Sequence, residues 1–436
     1  VTAPLFFHRA LLPTGWAADV RVAIADGRIT GVTPGATPSP GEETHAVALP
    51  GMNNLHSHSF QRAIAGLTEQ RGETADSFWS WRALMYRFAL SMTPEDVAAV
   101  AAMAFVEMLE GGFTAVAEFH YLHHAPDGTP YTDIGEMAAQ IARAAQSTGI
   151  DLLLLPVFYA HAGFGGPPPG AGQRRFINNL DDFARLLERC RALGPTGIAP
   201  HSLRAVTPSE LTALVALAGD APVHIHIAEQ TQEVADCLAW SGTTPVDWLL
   251  RHESVGPHWC LIHATHITPK ESAEITKSRA VVGLCPITEA NLGDGIFPAA
   301  RFAGSFGIGS DSNVLIDVAQ ELRQLEYSQR LRLRQRNVMA DATNRSTATA
   351  LYQRSLAGGA QAMGQAPGLQ QGAPANIITL AATGDPDRAL SRAVFASKST
   401  MIDTVWVRGR KCVTNGRHPA AESVRARFND VLARLL

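Results

Sequence analysis

The sequence has no C-x-x-C pair: its five cysteines, Cys190, Cys237, Cys260, Cys285 and Cys412, are odd in number and scattered. That excludes a disulfide framework and predicts reduced thiols in a cytoplasmic protein. No unbroken apolar stretch is long enough to span a membrane, and no basic N-terminus followed by an apolar run resembles a signal peptide. The expectation is therefore a soluble enzyme with no membrane partner. Charge is sparse, at 17% of residues with a net value of −4, which gives no reason to expect a nucleic-acid partner. Any recognition of an anion must come from individually placed arginines. What is present is apolar substance, 46% hydrophobic in 436 residues, enough for a sizeable core.

The two ends of the chain read alike. Leu5 to Leu12, Val20 to Ile24 and Arg28 to Val32 alternate as strands, with Asp26-Gly27 as a tight turn. Asn376 to Leu380 and Thr404 to Val413 repeat the pattern, with Gly409 at a turn, and Ala420 to Leu436 has helical spacing. This predicts a small β-sandwich domain assembled from residues 1–49 and 370–436. Residues 50–369 have another rhythm. Eight short apolar runs read as buried parallel strands: Met52 to His56, Thr114 to Phe119, Leu152 to Phe158, Gly197 to His201, Val223 to His226, Cys260 to His263, Val281 to Cys285 and Phe306 to Ser310. Between them, Thr93-Pro94, Thr207-Pro208 and Thr268-Pro269 each combine an N-cap threonine with proline at the first helical position, and an acid follows at the third. Strand then helix, repeated eight times, predicts an α/β fold of the (β/α)8 TIM-barrel type; a doubly wound open sheet is the competing arrangement. Two insertions, Ser59 to Ser91 with Phe78, Trp79, Trp81, Arg82, Tyr86 and Arg87, and the Gly/Pro loop Gly163 to Gly172, are candidates for pocket walls or a lid.

Chemistry-bearing residues fall at the predicted strand ends. In an extended strand His56 and His58 point the same way and can grip one ion. His201, His226 and His263 end the fourth, fifth and sixth runs, and Asp311 follows the eighth. An isolated H-x-H is more often a pair of solvated loop histidines, and a lone strand-end histidine is more often a hydrogen-bonded core residue. Recurrence at successive strand ends reverses that reading. Three imidazoles and one carboxylate form an ordinary zinc set with a place left for water, although iron(II) accepts the same donors.

These features resemble the amidohydrolase superfamily over nearly the whole chain. The resemblance implies metal ligands at His56, His58, His226 and Asp311, with Glu229 and His263 joining Asp311 in catalysis. His226-Ile227-Ala228-Glu229 matches the H-x-x-E of the deaminase branch. Superfamily members with two metals use a modified lysine on the fourth strand; no lysine occurs between His58 and His226, and His201 holds that strand end, so one ion is expected, with a glutamate-bridged pair as the alternative.

The segments Leu55 to Ala63, His201-Ser202-Leu203-Arg204, His224 to Gln230, His263 to His266 and Cys285 to Gly295 resemble the formimidoylglutamate deiminase family more closely. That resemblance implies substrate contacts at Gln61, Arg82, Tyr121, His201 and Arg204, a homodimer, and a small-molecule substrate with two carboxylates. The implied reaction is hydrolysis of N-formimino-L-glutamate to N-formyl-L-glutamate and ammonia, in histidine breakdown. A bound ion lowers the pKa of water from about 15.7 to about 7. Glu229 would carry a proton to the departing nitrogen, His263 and Asp311 would orient the attacking oxygen, and the forked guanidinium groups of Arg204 and Arg82 suit two carboxylates. The rival readings are an aminohydrolase for a purine-like ring and a barrel scaffold without activity. A purine pocket favours apolar and amide groups over arginines, and a scaffold would have lost ligands that are all present here.

Overall fold

The computed structural model describes residues 2–70 and 78–436. Four strands open the chain: β1 (Thr2–Leu12), β2 (Gly15–Ala25), β3 (Arg28–Thr33) and β4 (Glu43–Pro50). The predicted hairpin joins β2 to β3, with Asp26 at φ 50° and Gly27 at φ 74°, the paired positive values a two-residue turn needs. β4 is not among the predicted strands. It runs into the barrel with only Gly51 between, so no turn signal separates the two. A Cβ on Gly51 would lie 2.3 Å from the Thr114 side chain, so only glycine lets the two strands approach there.

The barrel strands follow: β5 (Met52–Ser57), β6 (Phe113–His120), β7 (Asp151–Phe158), β8 (Ala199–Pro200), β9 (Val223–Ile227), β10 (Trp259–His263), β11 (Val281–Leu284) and β12 (Ser305–Ile308). All eight correspond to predicted runs. Two parallel four-stranded sheets, β5 to β8 and β9 to β12, join through parallel bridges at Ile198–Val223, Ser202–His226 and Ser57–Asp311. The ring closes in chain order, which excludes the open sheet. The fourth run is the outlier. Only Ala199 and Pro200 belong to its ladder, and the neighbouring segment is held by single bridges, because proline has no N–H to extend a ladder. The three predicted helix starts all form reciprocal caps, in which Thr93, Thr207 and Thr268 exchange hydrogen bonds with Asp96, Glu210 and Glu271.

Within the Ser59 to Ser91 insertion, the described residues 59–70 and 78–91 include regular structure. They hold a 3-10 turn, Ser59–Ile64, and a helix, Phe78–Ser91. The side chains of Phe78 and Trp79 lie outside the described residues. The Gly/Pro segment is irregular, as predicted, up to a short turn at Ala171–Gln173.

Three late strands, β13 (Ile377–Leu380), β14 (Ile402–Val407) and β15 (Arg410–Val413), return to the N-terminal sheet. The order is β15-β14-β13-β4-β1-β2-β3. A helix not foreseen, Pro386–Phe395, connects β13 to β14, and the predicted closing helix spans Ala421–Leu435. The seven strands form one sheet that curls over Phe7, Val22, Ile24, Ile377 and Trp406. Ile29 donates its N–H to Ala373 O at 2.9 Å and Ala375 donates to Gly27 O at 2.9 Å, so outer strand β3 meets the chain entering β13. The two layers expected of a sandwich are thus two halves of one folded sheet.

The helix Thr347–Ala362 packs against β5, β11 and β12 through small residues. A Cβ on Gly358 would sit 2.0 Å from Phe306 O, a backbone atom with no freedom to retreat. Gly358→Ala is therefore expected to destabilise the protein by about 1–3 kcal/mol through overpacking, although alanine favours a helix by about 1 kcal/mol. Chemical denaturation reads this directly; a midpoint that rises or stays put contradicts the packing argument.

Candidate metal centre and active site

The bonds that close the barrel also assemble the candidate site. Asp311 N–H donates to His56 O at 3.0 Å, His58 N–H to Asp311 O at 2.9 Å and His226 N–H to His201 O at 3.1 Å. Ligand atoms of His56, His58, His226 and Asp311 consequently all fall within 4.8 Å of one another, and all four residues are buried. Asp311 Oδ1 lies 3.4 Å from His56 Nε2 and 3.3 Å from His58 Nε2, while the Nε2 atoms of His56 and His226 face each other at 3.0 Å. On the far sides of two rings, Nδ1 of His58 contacts Phe119 O at 2.9 Å and Nδ1 of His226 contacts His201 O at 3.0 Å. A carbonyl accepts only from N–H, so these rings carry their proton on Nδ1 and turn the Nε2 lone pair inward. Burial holds His58 down to about 3 and depresses His56 and His226 as well. Burial opposes ionisation of Asp311, but the hydrogen bond from His56 and the neighbouring histidines hold its carboxyl well below the usual range. Neutral imidazoles and an ionised carboxylate are the protonation states a divalent cation requires, so the donor set fits one.

Beside this cluster the backbone is strained. Ala228, His263, Ala264 and Asp311 have φ of 50°, 67°, 47° and 45°, left-handed values that non-glycine residues adopt at a cost and that gather at working sites. The N–H groups of Ala228 and Glu229 donate to the Glu233 carboxylate at 3.2 and 3.1 Å, which ties the H-x-x-E turn to the helix Thr231–Ser241. Glu229 Oε1 lies 3.8 Å from His263 Nε2, and that nitrogen is 3.7 Å from Asp311 Oδ2. His263 Nδ1 is 3.3 Å from Glu289 Oε1, which also accepts the Cys285 N–H at 2.8 Å. Burial pushes the Glu229 carboxyl above the ordinary carboxylate range, only partly offset by His263 and Arg204. Burial works against a proton on His263, yet Glu229, Glu289 and Asp311 outweigh it and raise that imidazole. The site thus holds a carboxyl poised to exchange a proton beside an imidazole disposed to keep one.

A cavity of about 500 Å³ opens over these groups. All five residues expected to touch substrate, Gln61, Arg82, Tyr121, His201 and Arg204, line it with His58, His226, Glu229, His263 and Asp311. Gln61 Nε2 donates to the Tyr121 hydroxyl at 2.8 Å, and the Arg82 guanidinium lies 5.6 Å from the Tyr86 ring centre. Arg204 places a buried Nε on this cavity, with no hydrogen-bond partner among the described residues.

The Amidohydrolase family model matches residues 47–412. The chain belongs to the amidohydrolase family. In this amidohydrolase, residues 4–46 match a second model, the N-terminal domain of formimidoylglutamate deiminase HutF. The chain is 49% identical to formimidoylglutamate deiminase of Pseudomonas aeruginosa, over 99% of each sequence. A crystal structure of an amidohydrolase from Brucella melitensis shares 52% identity, covers 99% of both chains and superposes with a TM-score of 0.96. An 8-oxoguanine deaminase of P. aeruginosa is 29% identical over 71% of this chain and 72% of its own. The family is metal-dependent, and the three histidines and Asp311 supply this amidohydrolase with a place for an ion.

Several residues of the site escape a reading of the sequence. Glu289 lies in the Cys285 to Gly295 segment at a spacing that marks no partner, and Glu233 looks like any acid in a first helical turn. Tyr159, Phe164, Phe176 and Trp240 line the cavity from loops and helices that are far apart in the chain. Nothing in their local spacing distinguishes them from ordinary core aromatics.

Proposed function

We propose that this amidohydrolase is a formimidoylglutamate deiminase, hydrolysing N-formimino-L-glutamate to N-formyl-L-glutamate and ammonia in histidine breakdown. The observation that carries the reading is Arg204, a guanidinium with a buried, unpartnered Nε beside the proton-transfer group Glu229. A cation with a buried, unused donor on a cavity wall suits an anion, and a substrate carboxylate supplies one. The 49% identity to a deiminase of that substrate agrees. A divalent ion on His56, His58, His226 and Asp311, zinc or iron(II), would make hydroxide available near neutral pH.

The protein's own groups do the remainder. Glu229 takes a proton from the attacking water and delivers it to the formimino nitrogen, and then passes the hydroxyl proton of the resulting adduct to the same nitrogen; the C–N bond breaks, ammonia leaves and the carbon keeps the oxygen as a carbonyl. His263, held by Glu289 through Nδ1, and Asp311, whose Oδ2 lies 3.7 Å from His263 Nε2, together orient the attacking oxygen. Arg204 and Arg82 grip the two carboxylates. The relation to an 8-oxoguanine deaminase keeps a nucleobase substrate as the second reading, but a neutral ring brings no negative charge to the Arg204 guanidinium.

The deciding assay is ammonia release from N-formimino-L-glutamate beside 8-oxoguanine and adenosine. Turnover of the first alone is expected; release from a nucleobase alone overturns the substrate. Metal analysis of protein purified without added metal is expected to return about one equivalent per chain. Two equivalents would contradict the single-ion argument drawn from the missing lysine.

A further inference from the structure

The groups around Arg204 suggest how a substrate carboxylate is surrounded. A carboxylate offers about four lone-pair positions, and a guanidinium fork fills two of them. In a buried pocket the others need donors too. Tyr159, directly after β7, is buried and packs its ring against His201 with centroids 4.5 Å apart. It lines the same cavity as Tyr86, Arg82 and Arg204. Its hydroxyl oxygen accepts the Gln173 Nε2–H at 2.7 Å. The amide of Gln173 cannot be reversed, because its Oε1 accepts the Gly170 N–H at 2.7 Å. The Tyr159 oxygen is therefore an acceptor towards Gln173, and its own hydrogen remains for another group.

Tyr86 reaches the pocket from the helix Phe78–Ser91. A Cβ on Gly172 would lie 2.7 Å from its Cδ2, so glycine there lets the Gly/Pro loop close against the ring. The same short stretch, Gly170 to Gln173, thus sets both tyrosines.

We propose that Tyr159 and Tyr86 complete the carboxylate pocket around Arg204, with Gln173 as the positioning residue that aims the Tyr159 hydroxyl. This rests on the reading of the substrate as a dicarboxylate. Each phenol donates one hydrogen bond to a carboxylate lone pair that the guanidinium fork leaves free.

The test uses the full-length enzyme with N-formimino-L-glutamate, with N-formiminoglycine, which lacks the distal carboxylate, and with glutarate, whose binding is read by calorimetry. Tyr159→Phe is expected to lower kcat/KM for N-formimino-L-glutamate about tenfold, chiefly through KM, as for loss of one hydrogen bond to a charged group. Glutarate should weaken in parallel, and N-formiminoglycine should change less than twofold. Tyr86→Phe, on a less buried ring, should show the same selectivity. Gln173→Ala should cost a few-fold alone and nothing further in the Tyr159→Phe background, since a residue acting through the hydroxyl has no effect once it is gone. Equal losses on both substrates, or a Gln173→Ala loss that persists undiminished in the double variant, overturn the proposal. If the native enzyme releases no ammonia from N-formimino-L-glutamate, the functional reading fails separately; glutarate binding still judges the pocket, and an affinity unmoved by Tyr159→Phe rejects it.

Discussion

Glu229→Gln will retain fold and bound metal and lose most turnover, with kcat lower by about a hundredfold to ten-thousandfold, the range typical of a general acid-base group. The fold should survive because the bonds that set the H-x-x-E turn use the backbone N–H groups of Ala228 and Glu229, not the carboxylate. The glutamine side chain keeps the size and shape of the original, and metal binding does not draw on it, because the four clustered donors are His56, His58, His226 and Asp311. On the proposed mechanism, what is removed is the ability to take a proton from water and release it to nitrogen. His263 still has Glu289 and Asp311 beside it, so its orientation should hold. Turnover measured beside metal content checks the point. A variant with near-native kcat would take Glu229 out of the mechanism and shift attention to His263.

Arg204→Met should lower kcat/KM for N-formimino-L-glutamate by roughly 3 kcal/mol, about a hundredfold or more, because a desolvated carboxylate loses a charged partner. Methionine fills similar volume, so the pocket should not collapse. N-formiminoglycine, expected to be a poor substrate because it lacks the distal carboxylate, should be affected much less, and the preference between the two substrates should narrow. Metal content should not change. Equal losses on both substrates, or none on either, would remove Arg204 from the distal-carboxylate role.

Much of this architecture is legible in the chain because strand ends carry it. His56 and His58 obey the two-residue period of an extended strand, and His226 and His263 each stand at the end of a short apolar run. Side chains so placed must converge once eight strands close into a ring. The helix starts are legible for a related reason: Thr93, Thr207 and Thr268 bond to acids three residues away, so the cap is written locally. Elsewhere the deciding contact is remote. β8 is shortened by Pro200, and its neighbours are held only by single bridges to strands distant in sequence. Tyr159 meets Gln173 from the short turn that ends the Gly/Pro loop, and Glu289, on the helix Pro286–Leu292, meets His263 at the end of β10. Spacing cannot report such approaches.

The position of β4 has a consequence for how this chain is made. β4 pairs with β1 on one side and with β13 on the other, and β13 lies more than three hundred residues later. At ribosomal speeds of about 5–20 residues per second, roughly a quarter of a minute to a minute passes between the appearance of the two strands. During that interval the open edge of β4 sits directly upstream of the strand carrying His56 and His58, ready to pair with any other extended segment. The nascent chain therefore has an aggregation hazard that the finished molecule conceals. Its N-terminal sheet can be completed only after the whole barrel sequence has been synthesised.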